Sequence, residues 1–168
     1  VKSVGNGITL REDLKNPVEV RRIFQILAIK VAKRLREGEL MARGIEIHLR
    51  DADLRGASFQ CKLPYDGASS FLLRDAAFDL YLKKMDPARP LRAVTLRATD
   101  LVPQKAAVQL DLFSDYEKKK REDALDEAIY KIRRRYGEGA LTFLGLLNDT
   151  KMPLHTTDVV TLPHPVLR

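Results

Sequence analysis

The sequence lacks most of the residue combinations on which catalytic and metal centres depend. Cys61 is the only cysteine among 168 residues, which excludes an intrachain disulfide and a zinc site built on several thiolates. The three histidines, His48, His155 and His164, show neither the paired helical spacing of a zinc site nor an evident nucleophile partner. There is no glycine-rich phosphate loop ending in Lys-Ser or Lys-Thr, and no nucleophile elbow. We therefore expect no catalytic residue, no metal site and no cofactor within this chain.

Long apolar runs are also missing. No stretch approaches the roughly 20 apolar residues that a helix needs to span a bilayer, and the N-terminus lacks a charged region followed by an apolar one. We therefore expect a cytoplasmic protein without a membrane partner. The first residue is Val1 rather than methionine, which favours a piece of a longer protein.

What the sequence does have is an ordinary apolar content and an excess of positive charge. Hydrophobic residues make up 45% of the chain, which is enough for one core of ordinary size. Lysine and arginine total 30 against 23 aspartate and glutamate residues, so the formal net charge is +7. Such a balance favours a polyanionic partner, with nucleic acid ahead of an anionic membrane surface.

Periodicity predicts two helices in the first hundred residues. Asn16-Pro17-Val18-Glu19 has the form of a helix start, with asparagine as the cap, proline at the first helical position and glutamate placed to bond back to the cap. Gly38 can end that helix. A second helix is expected at about 68–84, because Asp86-Pro87 then stops it.

Strands are expected before, between and after these helices. Apolar and polar residues alternate at 45–50, 58–63 and 94–98, and residues 3–10 form a first strand that contains glycine. The order is then β-α-β-β-α-β. Such an order usually gives an α+β domain, in which a four-stranded sheet carries both helices on one face and leaves the other face free.

The remainder of the chain predicts one further helix. Residues 101–115 show no convincing helical or strand continuation and are interpreted as a linker. A third helix is expected at about 117–136, with an apolar face made of Leu125, Ile129, Ile132 and Tyr136. The sequence thus divides into a sheet domain at 1–100, a linker at 101–115, and a C-terminal helix and tail at 116–168.

The free face of the predicted sheet is basic and polar, and Glu46 is the one carboxylate expected on it. Such a face suits a phosphate backbone, where cations release counterions and small polar groups add hydrogen bonds. An ordinary solvated face remains an alternative of equal weight. Few aromatic residues fall on this face, which argues against base stacking and favours sequence-independent contact with duplex backbone. The alternation places six residues there: His48, Arg50, Gln60, Lys62, Thr95 and Arg97.

Two carboxylates between the second and third strands could be imagined as a magnesium site. Asp51-Ala52-Asp53 offers the oxygen ligands that hard cations prefer. Acidic residues are common turn formers between strands, so a turn is the favoured interpretation.

The most specific short signal lies in the predicted linker. Gln109-Leu110-Asp111-Leu112-Phe113 resembles the pentapeptide that bacterial replication proteins insert into the sliding clamp. Leu112 and Phe113 would fill an apolar pocket, Gln109 would hydrogen-bond at its rim, and Leu110 would add a second apolar contact. The alternative is a short strand, or a linker that folds back on the domain.

Three further stretches carry a resemblance that extends over about the first two-thirds of the chain. Lys2-Ser3-Val4-Gly5, the segment 42–53 with Gln60-Cys61-Lys62-Leu63-Pro64, and the segment 90–97 are similar to the little finger domain of Y-family, UmuC/DinB-type translesion DNA polymerases. The pentapeptide follows where members of that family often carry one.

The resemblance implies a non-catalytic part of an error-prone polymerase of the damage response and DNA repair. In that family the little finger binds duplex or primer-template DNA through its sheet, while palm and fingers domains lie elsewhere and the palm holds the catalytic metal ions, with magnesium expected in the parent enzyme. A β sliding clamp is the second expected partner. The expected DNA contacts are the six free-face residues together with Ser3, Gly5, Asn6 and Arg55.

The chain departs from the simplest DinB pattern, in which the clamp peptide ends the protein. Asp126-Glu127-Ala128-Ile129 and the segment after it resemble an extension of UmuC-like and plasmid- or Gram-positive-type members, so the subfamily stays open. The second hypothesis is a free-standing DNA-binding or clamp-binding adaptor without polymerase activity. The coding sequence upstream of Val1 would discriminate between the two.

Overall fold

The computed structural model of the chain describes residues 2–104 and 116–147, except for the side chains of 116–119 and 147. Its elements are β1 (Val4–Leu14), α1 (Pro17–Glu37), β2 (Leu40–Asp51), β3 (Gly56–Gly67), α2 (Ser70–Lys84), β4 (Leu91–Pro103) and α3 (Tyr116–Tyr136), followed by a 3-10 turn (Glu138–Ala140) and the short helix α4 (Leu144–Leu147). The predicted β-α-β-β-α-β order is confirmed. The described helices include none that is long and apolar enough to cross a membrane.

The four strands form one antiparallel sheet in the order β1-β4-β2-β3. Helices α1 and α2 pack together on one face and bury the apolar side chains of the strands. Phe24 and Tyr81 come from the helices, and Ile45, Ile47 and Leu96 come from the central strands; each is at most 1% exposed. Burial of each such side chain contributes about 1.5–3 kcal/mol, so this interface fixes which face of the sheet stays open.

The start of α1 follows the predicted cap. The Asn16 side-chain oxygen accepts hydrogen bonds from the amides of Val18 at 2.7 Å and Glu19 at 3.2 Å. The Glu19 amide also donates to the Asn16 carbonyl at 3.1 Å, so the Asn16 side chain and carbonyl together satisfy the first amides of the helix. The Glu19 carboxylate accepts from the amide of Lys15 at 2.8 Å, one residue before the position that we expected.

Strand β4 is longer than its alternation indicates. Leu101, Val102 and Pro103 pair with Ala42, Met41 and Leu40 of β2. The prediction that the linker begins at Leu101 is therefore wrong by three residues.

Helix α3 lies where it was predicted, but three of the four residues of its predicted apolar face stay exposed. Leu125, Ile132 and Tyr136 are 49%, 38% and 67% exposed. Instead Asp126, at 3% exposure, is the residue that the helix buries. Of the predicted face, Ile129 alone is half-buried among the described side chains, so the predicted face is only partly correct and a polar contact helps to orient this helix.

That polar contact joins α3 to the start of α2. Asp126 accepts hydrogen bonds from Ser69 Oγ at 2.9 Å, from Ser70 Oγ at 2.6 Å and from the Ser70 amide. Arg36 of α1 lies 3.4 Å from the same carboxylate. Ser69 makes no side-chain cap bond of its own and the first turn of α2 holds no acidic residue. A carboxylate from a distant part of the chain therefore takes the place of a local cap.

Candidate nucleic-acid interface

The strand register assembles an open face from residues that are far apart in sequence. Residues paired across antiparallel strands point to the same side of a sheet. One central row consists of Gly5, Arg97, Glu46 and Gln60, and the next consists of Gly7, Thr95, His48 and Ser58. Arg50 pairs with Gly56 and Ala93 on one side of these rows, and Gly44 pairs with Lys62 and Thr99 on the other side.

All six residues that the alternation predicts on the free face share this side of the sheet. Among the additional expected contacts, Gly5 lies in a central row, and Ser3 precedes β1 and is half-buried. Arg55 is exposed in the turn that joins β2 to β3. Their contact with DNA stays a prediction.

Asn6, the remaining expected DNA contact, does not share this side of the sheet. Its partner across the sheet is Leu96, which is fully buried under the helices. Asn6 therefore points away from the open face, and its side-chain oxygen accepts a hydrogen bond from the Gly7 amide at 3.1 Å. The glycines on either side of Asn6 hide the alternation of β1, which is why the sequence alone did not assign its face.

The open face has low relief because glycines lie beside larger side chains. A Cβ atom on Gly7 would come within 2.5 Å of Thr95 Oγ1, and one on Gly44 would come within 2.7 Å of Thr99 Oγ1. The two threonines therefore occupy space that any other residue at these positions would need. A flat surface of this kind lets a regular backbone lie along several strands at once.

Charge is distributed unevenly over this face. Arg97 Nη1 lies 3.2 Å from Glu46 Oε1, and Gln60 Nε2 donates to Glu46 Oε2 at 2.7 Å. Arg50 and Lys62 have no carboxylate partner within the described parts of the chain. The Arg50 Nε atom is also buried without a hydrogen-bond acceptor among those residues.

The structure adds a second carboxylate at one end of the face. The Asp100 side chain approaches Gly44, with Oδ2 at 3.4 Å from the position of a Cβ there. Asp100 is exposed and has a left-handed backbone with φ of 51°. Glu46 is therefore not the one carboxylate on this side of the sheet, as we expected, but it remains the one in the two central rows.

The acidic segment between β2 and β3 forms a turn. Asp51 is 6% exposed and its carboxylate accepts from the Arg55 amide at 2.9 Å, while its carbonyl accepts from the Leu54 amide at 3.1 Å. These bonds use the carboxylate for local structure. Across 2–104 and 116–147, no group of three or more His, Cys, Asp or Glu side chains is placed to hold a metal ion.

The predicted clamp-binding peptide, Gln109 to Phe113, lies outside the described residues, between the end of β4 and the start of α3. The contact of Asp126 with Ser69 and Ser70 is the polar site that sequence reasoning missed. The available signal was a pair of serines at the start of a helix whose first turn holds no acidic residue.

Comparisons with known proteins identify the family of the chain. A family model described as the impB/mucB/samB family C-terminal domain matches residues 1–112. The chain is 32% identical over 137 residues to DNA polymerase IV of Acetivibrio thermocellus, covering 82% of this chain and 34% of that protein. It is 33% identical over 139 residues to DNA polymerase IV 1 of Bacillus subtilis, covering 81% of this chain and 33% of that protein. The chain thus spans about a third of the length of the curated relatives it matches.

Solved structures show the same fold. A complex of the β-clamp processivity factor and the little finger domain of PolIV aligns with a TM-score of 0.50 at 23% identity, over 67% of this chain and 99% of that one. A chimeric Y-family DNA polymerase aligns with a TM-score of 0.51 at 16% identity, over 61% of this chain and 29% of that one.

Proposed function

The chain belongs to the impB/mucB/samB family through its C-terminal domain, and from that premise we propose that it is the DNA-binding, clamp-tethering part of an error-prone translesion DNA polymerase. Polymerisation would be the work of the parent protein, with magnesium as its cofactor and with palm and fingers domains that are not represented in this chain. This part would hold DNA beside the enzyme and contribute no catalytic residue.

The observation that carries the proposal is the open face of the sheet. It is flat, it is short of bulky apolar side chains, and two of its cations, Arg50 and Lys62, have no carboxylate partner in the described chain. Cations on a flat surface replace counterions along a phosphate backbone and distinguish little between sequences. Arg55, exposed in the turn that joins β2 to β3, adds a further cation near this face. The favoured ligand is duplex or primer-template DNA.

Salt titration tests the interface. Replacing both Arg50 and Lys62 with glutamine should lower the slope of log affinity against log salt by about two units, because each phosphate contact contributes about 0.9. The matched control replaces Lys83 and Lys84, two exposed lysines in the last turn of α2 on the opposite side of the sheet. Equal slopes for the wild type, the Arg50/Lys62 variant and the Lys83/Lys84 variant would show that the open face is not the DNA site.

The second part of the proposal concerns the sliding clamp. Gln109 to Phe113 combines two adjacent apolar anchors with a polar rim residue, and a solved complex of related fold contains a β-clamp processivity factor. Because such anchors dominate small interfaces, changing Leu112 and Phe113 to alanine should cost at least about 2 kcal/mol, or roughly thirtyfold in affinity. Calorimetry with the clamp of the same organism measures this cost, and DNA binding by the same variant is the control. Equal affinity of wild type and variant would mean that the pentapeptide has a structural role.

A free-standing adaptor that binds DNA or the clamp without a polymerase is the alternative. Similarity to proteins three times as long favours the polymerase. A reading frame that continues upstream into acidic palm motifs would support it, and a start codon immediately before Val1 would support the adaptor.

A further inference from the structure

Glu46 occupies the centre of the surface proposed to bind a polyanion, where a carboxylate would be expected to weaken binding. It lies on β2, between Arg97 of β4 and Gln60 of β3. One carboxylate oxygen contacts Arg97 Nη1 at 3.2 Å and the other accepts from Gln60 Nε2 at 2.7 Å. Both oxygens are thus engaged by groups that would otherwise be available to phosphate.

The two partners of this ion pair differ in exposure. The Glu46 side chain is 18% exposed and that of Arg97 is 47% exposed. Arg97 therefore reaches the solvent edge of the pair with its charge already balanced. A phosphate that meets such an arginine competes with a carboxylate, so the contact adds less to binding than one made by an unpaired cation.

We propose that Glu46 attenuates DNA binding by holding Arg97 and Gln60 in a self-neutralised network, so that Arg50 and Lys62 supply most of the electrostatic attraction. This inference rests on the proposed function of the open face. Loss of the Glu46 charge would free Arg97 to contact a phosphate and would tighten binding. Since tighter backbone contacts mainly slow dissociation, the network keeps the domain able to leave one stretch of duplex for the next.

The experiment is a double-mutant cycle read as salt slopes on one duplex. Glu46→Gln keeps the shape and an acceptor oxygen while removing the charge, and Asp79→Asn on α2 removes one charge from the helix-covered side as the matched control. Glu46→Gln should steepen the slope by about one unit, and Asp79→Asn should change it by much less. Arg97→Gln should lower the slope by less than about half a unit in the wild type and by about one unit in the Glu46→Gln background.

Equal effects of Arg97→Gln in the two backgrounds would overturn the inference, as would equal steepening by Glu46→Gln and Asp79→Asn. Arg97→Gln in the otherwise wild-type protein can also overturn the inference. If it lowered the slope of log affinity against log salt by a full unit, Glu46 would not restrain Arg97. Failure of the proposed function looks different: the Arg50/Lys62 variant would then keep the wild-type slope, whatever the cycle shows. Thermal melting of each variant confirms that the fold is retained.

Discussion

Substitution of Asp126 with alanine should undock α3 without unfolding the sheet domain. Asp126 connects α3 to Ser69, Ser70 and Arg36, whereas the apolar core is made of residues between Leu10 and Ala98. The variant removes an acceptor from three donors and leaves Arg36 without its buried partner. The helix can then move away, and water can satisfy the serines.

The loss of α3 docking free energy in the Asp126→Ala variant can be bounded from general magnitudes. A hydrogen bond to a charged group contributes about 1.5–3 kcal/mol, and breaking a buried ion pair costs about 3–5 kcal/mol. These values cannot simply be added, because the loss is limited to the free energy with which α3 docks. We expect docking to weaken by about 2–4 kcal/mol. The domain itself should lose about 1 kcal/mol, the value of a helix cap, because the first turn of α2 then lacks its acceptor.

Amide hydrogen exchange separates these two effects. Exchange across 120–136 should accelerate by roughly thirtyfold or more, since each 1.4 kcal/mol is a factor of ten, while α1 should keep its protection. Glu127→Ala is the matched control: its carboxylate is exposed and pairs with Lys131 one turn away at 2.8 Å, so its effect should stay within about 0.5 kcal/mol. Wild-type protection of α3 in the Asp126→Ala variant would refute the assignment of this carboxylate as the docking contact.

Two further predictions concern titratable groups. The hydrogen bonds and charge of Arg92 hold the pKa of Asp13 below its usual value of 3.8. The ionised Asp13 carboxylate therefore stabilises the folded protein above about pH 4, and this stabilisation is lost as the pH falls. Asp13→Asn should flatten the acid side of a curve of melting temperature against pH. An unchanged curve would mean that the Asp13–Arg92 pair does not stabilise the fold. Burial raises the pKa of the Cys61 thiol, so alkylation at pH 8 should be slower for the folded than for the denatured chain, and equal rates would contradict the half-buried position of Cys61 in β3.

The parts of the fold that local signals encode were predictable. Asn16 and Pro17 determine the start of α1 through contacts with the residues next to them in the sequence. The alternation along β2 is clear because one face of this strand is buried. The last residues of β4 were not predictable in the same way. Leu101-Val102-Pro103 shows no alternation, and its strand conformation depends on pairing with Leu40 to Ala42, about sixty positions earlier. The conformation of a strand end that depends on its pairing partner cannot be predicted from the pattern of its own residues.

Helix α3 shows a second limit. Its periodicity correctly groups Leu125, Ile132 and Tyr136 on one side, but periodicity cannot say which side meets the rest of the protein. The choice is made by Asp126, whose three donors lie more than fifty residues away. A single satisfied buried carboxylate outweighs a short apolar stripe here, because leaving Asp126 in the contact without donors would cost more than leaving three apolar side chains in water.

The same reasoning decides how many positive charges the candidate interface can use. Counting cations along the strands treats Arg50, Lys62 and Arg97 as equivalent, because alternation assigns each of them to the same face. Their availability depends instead on the strand order β1-β4-β2-β3, which places Arg97 beside Glu46 although 51 positions separate them. Arg50 and Lys62 have glycines as their neighbours across the sheet, Gly56 and Gly44, and neither glycine can neutralise them. Two of the cations therefore form no ion pair with a described carboxylate and one does, although Asp100 lies beside Gly44 in the row of Lys62, and the salt dependence of DNA binding should follow the sheet topology, not the composition of the strands.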